Sequence, residues 1–420
     1  MNKYNLPITK LIIIAFLVRM LASFLPPFEI DQIGWRSWAL RMAEVGSANF
    51  YSEKTFTDNP PGFLYVFWLI GFIKTTFFLN ATNNLVFDFL LKLPTNIADI
   101  LSALIIYKFI KNYKAIERKL SERWALIGFM LYALNPVTLF NTSIWGQFDG
   151  SATLFLLLAL YAFFVKKAPQ LATFSFAIAW AIKPQAIALA PFLGLLFLIR
   201  TKPSTWISSG IIFILTTLLL YLPFFPNNPF SGIIQVQKAM TRIFSCTTCF
   251  AFNFWGVFGN WQDDRNFFQG LTLMNWGIIL LALSFIPIFF LKPFKLRFEQ
   301  PYVYLTSSLS IFAFFSFITR MHERYLFPFF SLFLVSAILL RSKVLLSVYF
   351  LISIIHLINV YLSYAYYNKH LALNPKLTEI IFNNFKFLSA FSILILIGLI
   401  GYLIKLTNLP KLKGHETSKN

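Results

Sequence analysis

Long apolar runs separated by short polar islands cover almost the whole chain, and their length is what first sets its class. A hydrocarbon layer about 30 Å thick takes roughly 20 apolar residues of helix to cross. Runs of that order lie at 9–26, 88–110, 124–143, 150–166, 170–183, 185–200, 205–223, 271–291, 301–319, 325–340, 344–366 and 386–405. They predict an all-α polytopic membrane protein of about twelve transmembrane helices with both ends in the cytosol. Arg19 interrupts the first run and no small-x-small cleavage site follows it, so an uncleaved first helix is expected rather than a secretion signal. With no repeat and no low-complexity tract, residues 1–410 read as one transmembrane domain and 411–420 as a cytosolic tail.

Residues 60–79 are apolar enough to span, but a span there would put the basic stretch from Lys108 to Arg123 outside, against the positive-inside rule. An interfacial or re-entrant helix is expected instead. Just before it, Trp35, Trp38, Ala39, Met42 and Val45 recur at helical spacing, with Arg36, Ser37, Arg41 and Glu44 facing away. That is the pattern of a helix lying on a bilayer surface. The first outer loop is thus expected to hold two surface helices.

Composition agrees: 58% of residues are hydrophobic, 52 are Phe and 12% are charged, far from a soluble domain. The formal charge of +20 lies mostly in short loops between apolar runs, as positive-inside topology requires. No basic patch interleaved with stacking aromatics stands on a soluble segment, which excludes a nucleic-acid partner. The acidic residues fall on the other side, Glu29, Asp31, Asp58, Asp149 and Glu323 among them. Two cysteines, Cys246 and Cys249, lack the second ligand pair of a zinc site and the βαβ setting of a redox motif; a local disulfide and two plain thiols both remain open. Asn80-Ala81-Thr82 and Asn141-Thr142-Ser143 fit the glycosylation sequon.

The polar islands all emerge at the outer ends of the runs. Glu29-x-Asp31 follows the first helix, Asp58-Asn59-Pro60-Pro61 returns the chain to the membrane, and Trp145-Gly146-Gln147-Phe148-Asp149 ends the third span. Lys183-Pro184-Gln185 forms the next outer hairpin, and Arg320, His322, Glu323 and Arg324 lie between the ninth and tenth spans. Ionisable residues at this depth are costly unless they face water or a partner, so their recurrence on one side predicts a polar cavity. Its chemistry suits glycosyl transfer. Asp31 would take the acceptor hydroxyl's proton as the anomeric carbon gains oxocarbenium character. Lys183, Arg320, His322 and Arg324 would stabilise a departing phosphate. Asp149 and Gln147 would orient sugar hydroxyls or hold the base, with Glu29, Asp58, Gln185 and Glu323 as further sugar or acceptor contacts.

The order E-x-D, NPPG, KLP with an acidic residue (Lys92, Leu93, Pro94, Asp99), WGQFDG, KPQ and MHERYLFP resembles the GT-C membrane glycosyltransferases. More narrowly, it is similar to bacterial relatives of the glycosylphosphatidylinositol mannosyltransferase II family. The first-loop plan also resembles protein O-mannosyltransferases and lipid A aminoarabinose transferases. The motifs cover about residues 29 to 328. The resemblance implies a polyprenyl-phosphate sugar donor, an inverting transfer of mannose or another hexose, and a catalytic carboxylate in the first outer loop, which matches Asp31. The acceptor, whether glycan, lipid or protein, stays open. Members of this class are not uniform about metal, so a divalent metal stays open, with only weak support because Glu29, Asp31 and Asp149 lack the dense spacing that would demand one. A transporter or flippase of a soluble or lipid-linked sugar is the alternative, but such folds usually carry internal repeats with interrupted helices at the midplane. The expected location is the plasma (inner) membrane with the site facing the periplasm or exterior, or the endoplasmic reticulum in a eukaryote.

Overall fold

Every apolar run is helical, and the helix starts are written in residue types that suit them. In the computed structural model, which describes residues 7–52, 57, 59–78, 84–291 and 294–408, Pro stands in the first turn at Pro136, Pro169, Pro184, Pro203, Pro229 and Pro375. There its missing N–H removes nothing from the helix. Asn228, Thr272, Ser342 and Asn374 cap with side-chain oxygens that accept a backbone N–H.

The first half comprises α1 (Ile8–Ser23), α2 (Glu29–Val45), α3 (Leu64–Phe77), α4 (Leu85–Lys111), α5 (Arg118–Ala133) and the single turn α6 (Pro136–Thr138). A π-helix over Leu139–Trp145 leads to α7 (Asp149–Phe164), then α8 (Pro169–Ile182), a 3₁₀ segment Pro184–Leu189, and α9 (Ala190–Arg200). The second half holds α10 (Pro203–Tyr221), α11 (Pro229–Ile243), α12 (Leu273–Phe285), α13 (Tyr302–Phe317), α14 (Phe327–Leu339), α15 (Lys343–Tyr367), α16 (Pro375–Asn383) and α17 (Phe385–Asn408).

Among the described residues six helical stretches are long and apolar enough to cross a membrane: α4, 118–145, α10, 273–290, α15 and α17. The protein is therefore a nearly all-α, membrane-type helical bundle. The other expected spans are shorter. At 14 and 13 residues, α8 and α14 reach only about 20 Å, because the polar islands cut the helices off. Almost every side chain of α14 is buried, so its all-round apolar character reflects protein on every side. By contrast α10 and α17 leave apolar side chains open, Ile207 and Leu219 at 67% and 65% and Phe387 and Leu394 at 67% and 63%, faces suited to lipid.

The aromatic face of α2 is a correction. Trp35, Trp38, Ala39 and Met42 are buried in protein, against Phe67 of α3 and Phe148, rather than spread on a bilayer surface. Periodicity reveals an apolar face but not what covers it. Gly71 allows the two helices to meet: a Cβ there would lie 1.9 Å from the Ala39 carbonyl oxygen. With 14 residues, α3 rises about 21 Å.

Among the described residues four short strands lie in the segments between helices. β1 (Thr248–Cys249) pairs in parallel with β4 (Met321–His322), and β2 (Phe267–Phe268) pairs antiparallel with β3 (Leu271–Thr272). Cys246 and Cys249 are joined in a disulfide.

Candidate functional site

The site is built on a local irregularity. After α6 the chain winds as a π-helix from Leu139 to Trp145, a form that recurs at functional sites because its extra residue per turn re-aims side chains. It stops at Gly146, whose φ of +95° suits only glycine well, and a Cβ there would meet the Gln32 side-chain oxygen at 2.9 Å. The Gln147 N–H then bonds back to the Asn141 carbonyl at 2.9 Å. This turn lets the residues on either side of the glycine aim at one atom. The Trp145 indole N–H and the Gln147 amide N–H donate to Oδ2 of Asp31 at 2.8 and 2.6 Å.

Asp31 sits in the first turn of α2, where the helix dipole favours a carboxylate. The start of α2 is fixed to the π-helix by the Phe28 N–H, which donates to the Trp145 carbonyl, and by the stacked Phe28 and Trp145 rings, 4.4 Å apart. Oδ1 of Asp31 accepts no hydrogen bond among the described residues. It is the open end of a carboxylate whose other oxygen is held twice.

From Gln147 the network continues. Its carbonyl oxygen accepts from Nζ of Lys183 at 2.8 Å, and the same ammonium pairs with Oδ1 of Asp149 at 2.7 Å. Asn141 donates to the other Asp149 oxygen at 3.1 Å, and Lys183 lies 4.5 Å from the Phe148 ring centre. Lys183 is extended because Pro184 follows it, and that ends α8 at the site. The NPPG turn backs it: the Gly62 N–H donates to Ala181, and a Cβ at Gly62 would lie 2.5 Å from that backbone.

Arg324 closes the far side. Its guanidinium carbon is 5.8 Å from the Trp145 ring centre, it bonds Glu323 at 2.9 Å, and its buried Nε has no partner. Burial alone would lower its pKa, but the Asp31 and Glu323 carboxylates more than offset this and hold it charged. Burial pushes Glu323 up, with Arg324 pulling the other way. The carboxylates of Asp31, Asp149 and Glu323 and the side chains of Lys183 and Arg324 thus share a partly dry space.

Of the sequence-predicted residues, Asp31, Gln147, Asp149, Lys183, Glu323 and Arg324 meet here. Arg320 does not. It is committed to Asp264, Nε to Oδ2 at 2.7 Å and Nη2 to Oδ1 at 3.2 Å, with a further bond to the Thr241 carbonyl. Thr319 donates to the same carboxylate, so Arg320 neutralises a buried acid and has little left for a phosphate. His322 is also corrected as a cation. Burial, then the charges of Arg324 and Lys183, push its pKa well below the usual imidazole range, and its ring packs on Phe244 and Tyr325. Glu29 is exposed. Gln185 is partly buried with a side-chain oxygen that has no partner. Asp58, like the sequon at Asn80, falls outside the described residues. The second sequon is no acceptor for glycan: Asn141, Thr142 and Ser143 are fully buried. Among the described residues no three His, Cys, Asp or Glu side chains gather at one point.

The pH dependence of His322 is testable. Its folded pKa lies below the unfolded value of about 6.5, so stability present above that value is lost as pH falls toward the folded pKa. The unfolding temperature in detergent should drop between pH 7.5 and 5.5, and His322→Phe should flatten the drop. Equal slopes for the two proteins would contradict it.

Along the chain Arg19 stands out only as an interruption of the first run, yet it organises the support beneath the site. Fully buried, it pairs with Asp99 at 2.7 Å, donates to the Ala133 carbonyl and Thr138, and reaches Asn96, which accepts from Ser143 of the π-helix at 2.6 Å. Lys92 ties the end of α1 by bonding the Ser23 and Leu25 carbonyls. Arg19→Met leaves Asp99 buried without its partner and should cost about 3–5 kcal/mol, while adding Asp99→Leu should recover most of it. Thermal unfolding of the two variants measures this, and a double variant no better than the single one would refute the pairing account.

The chain matches no protein-family model, and no curated protein matches it.

Proposed function

We propose that this protein is a membrane glycosyltransferase of the GT-C kind, moving a hexose, mannose foremost, from a polyprenyl-phosphate donor to an acceptor hydroxyl with inversion. The observation that carries the reading is the state of Asp31: one carboxylate oxygen is fixed by Trp145 and Gln147, the other is open, and the charged Arg324 stands close by. A held carboxylate with a free oxygen suits a general base, and a guanidinium with an unpaired Nε suits a phosphate.

In the proposed step the bond between the anomeric carbon and the phosphate oxygen breaks, and its electron pair leaves with the phosphate. The acceptor oxygen bonds the opposite face of that carbon, and its proton passes to Oδ1 of Asp31. Arg324 stabilises the charge that develops on the phosphate, aided in rank order by Lys183, whose charge is partly answered by Asp149. Asp149, Gln147 and Glu323 fix these groups and present polar atoms to sugar hydroxyls.

In this reading the shorter apolar helices also cross, giving about twelve spans, and the site opens on the side opposite the basic loops. The partners are the donor, a glycan, lipid or protein acceptor, and membrane lipids. The deciding experiment presents purified protein in lipid with radiolabelled polyprenyl-phosphate hexoses and scores release of polyprenyl phosphate. Release with transfer of label to an acceptor supports the reading. Failure with every hexose, together with sugar uptake by proteoliposomes, would replace it by the transporter.

A further inference from the structure

A second polar space lies at the far ends of α7 and α8, the two helices that carry Asp149 and Lys183. With 16 residues α7 rises about 24 Å, so this space is one helix length from the Asp31 network. It is a cavity of about 600 Å³ lined by Lys167, Arg200, Lys202, Thr205 and Glu299, with Phe164 on its apolar wall. Three cations face one carboxylate, and that carboxylate is already held by Arg200 at 3.4 Å. Lys167 and Lys202 form no ion pair or side-chain hydrogen bond among the described residues.

The backbone adds to the same field. Both α8, which begins at Pro169, and α10, which begins at Pro203 after Lys202, start on residues of this cavity, so two helix N-termini with their partial positive charge border it. Two unanswered ammonium groups, a guanidinium, a threonine hydroxyl and two helix starts converge on a space large enough for a headgroup. An acidic ligand is what such a set recognises. Carboxylates suit it less than phosphate, whose three or more acceptor oxygens can engage several donors at once.

We propose that this cavity binds a phosphate-bearing anion, either the headgroup of an acidic phospholipid or a soluble phosphate compound. The aromatic wall and the apolar helices that rise from the cavity fit an attached acyl chain, as basic pockets between membrane helices do for acidic lipids. Nothing in this assignment depends on glycosyl transfer at Asp31.

The test uses the full chain in detergent. Binding of phosphatidylglycerol and of inorganic pyrophosphate is measured separately by native mass spectrometry and by the shift in unfolding temperature, for the wild type, Lys167→Ala/Lys202→Ala and Glu299→Gln. At about 1 kcal/mol per basic residue, the double variant should bind roughly twenty- to thirtyfold more weakly. Glu299→Gln, which frees Arg200, should bind more tightly. Both exchanges alter exposed side chains, so unliganded unfolding temperatures should match the wild type. A variant-sensitive signal with the lipid alone assigns the site to a headgroup, and one with pyrophosphate alone assigns it to a soluble phosphate. Binding of both at equal strength to wild type and double variant, or of neither to the wild type, overturns the proposal.

Discussion

Asp31→Asn should leave a folded, membrane-inserted protein whose sugar transfer falls roughly 10²–10⁴-fold while donor binding persists. The exchange is nearly isosteric. The asparagine carbonyl can keep the bonds from Trp145 and Gln147, 2.8 and 2.6 Å long in the wild type, so the start of α2 stays in place. What changes is the open position, where a proton-accepting oxygen becomes an amide that cannot take a proton. Because removing a negative charge leaves the nearby cations less neutralised, donor affinity should hold or rise. Release of labelled polyprenyl phosphate against the wild type measures turnover, and equilibrium binding of the donor measures occupancy. Turnover within tenfold of the wild type would remove Asp31 as the base.

Arg324→Ala should lower kcat/KM by roughly 10²–10³-fold, the usual cost of removing a charge-stabilising donor, with Arg324→Lys intermediate. Lysine restores the charge but not the planar fork that grips two phosphate oxygens. The contrast with Arg320 makes this sharp. Arg320→Ala strands the buried Asp264 and should lower the unfolding temperature, yet the protein that remains folded should transfer sugar at close to the wild-type rate. Two arginines four positions apart would then give opposite phenotypes, one in rate and one in stability. Similar losses of rate in both, measured per folded molecule, would mean that the assignment of the phosphate-binding group is wrong.

The long apolar helices were legible because apolar runs of sufficient length have few other fates, whereas α11 and α16 fall outside every such run. Asp31, Gln147, Asp149 and Lys183 were legible as islands at the ends of those runs. Arg320 and Arg324 look equivalent on the chain, and only the pairing of Arg320 with Asp264, 56 positions away, separates them. The aromatic stripe of α2 read as a bilayer face because periodicity carries no information on whether lipid or Phe67 and Phe148 will cover it. The π-helix was invisible, since no residue preference announces an extra residue per turn; Gly146 was the one available hint. Asn141 fits the glycosylation sequon yet is buried, because a three-residue motif says nothing about burial.

Bonds run from Asp31 through Gln147 and Lys183 to Asp149, with Trp145 also holding Asp31 and Asn141 also holding Asp149. Neighbouring residues of such a network share their bonds. Losing Gln147 removes one of the two bonds that hold Asp31 and one of the two contacts of Lys183, so deleting Lys183 as well removes a bond already gone, and paired substitutions should cost less than the sum of their separate effects. Alanine scanning across these four positions would accordingly count each shared bond twice, and ranking the residues by their individual scores would mistake linked constraints for four independent ones.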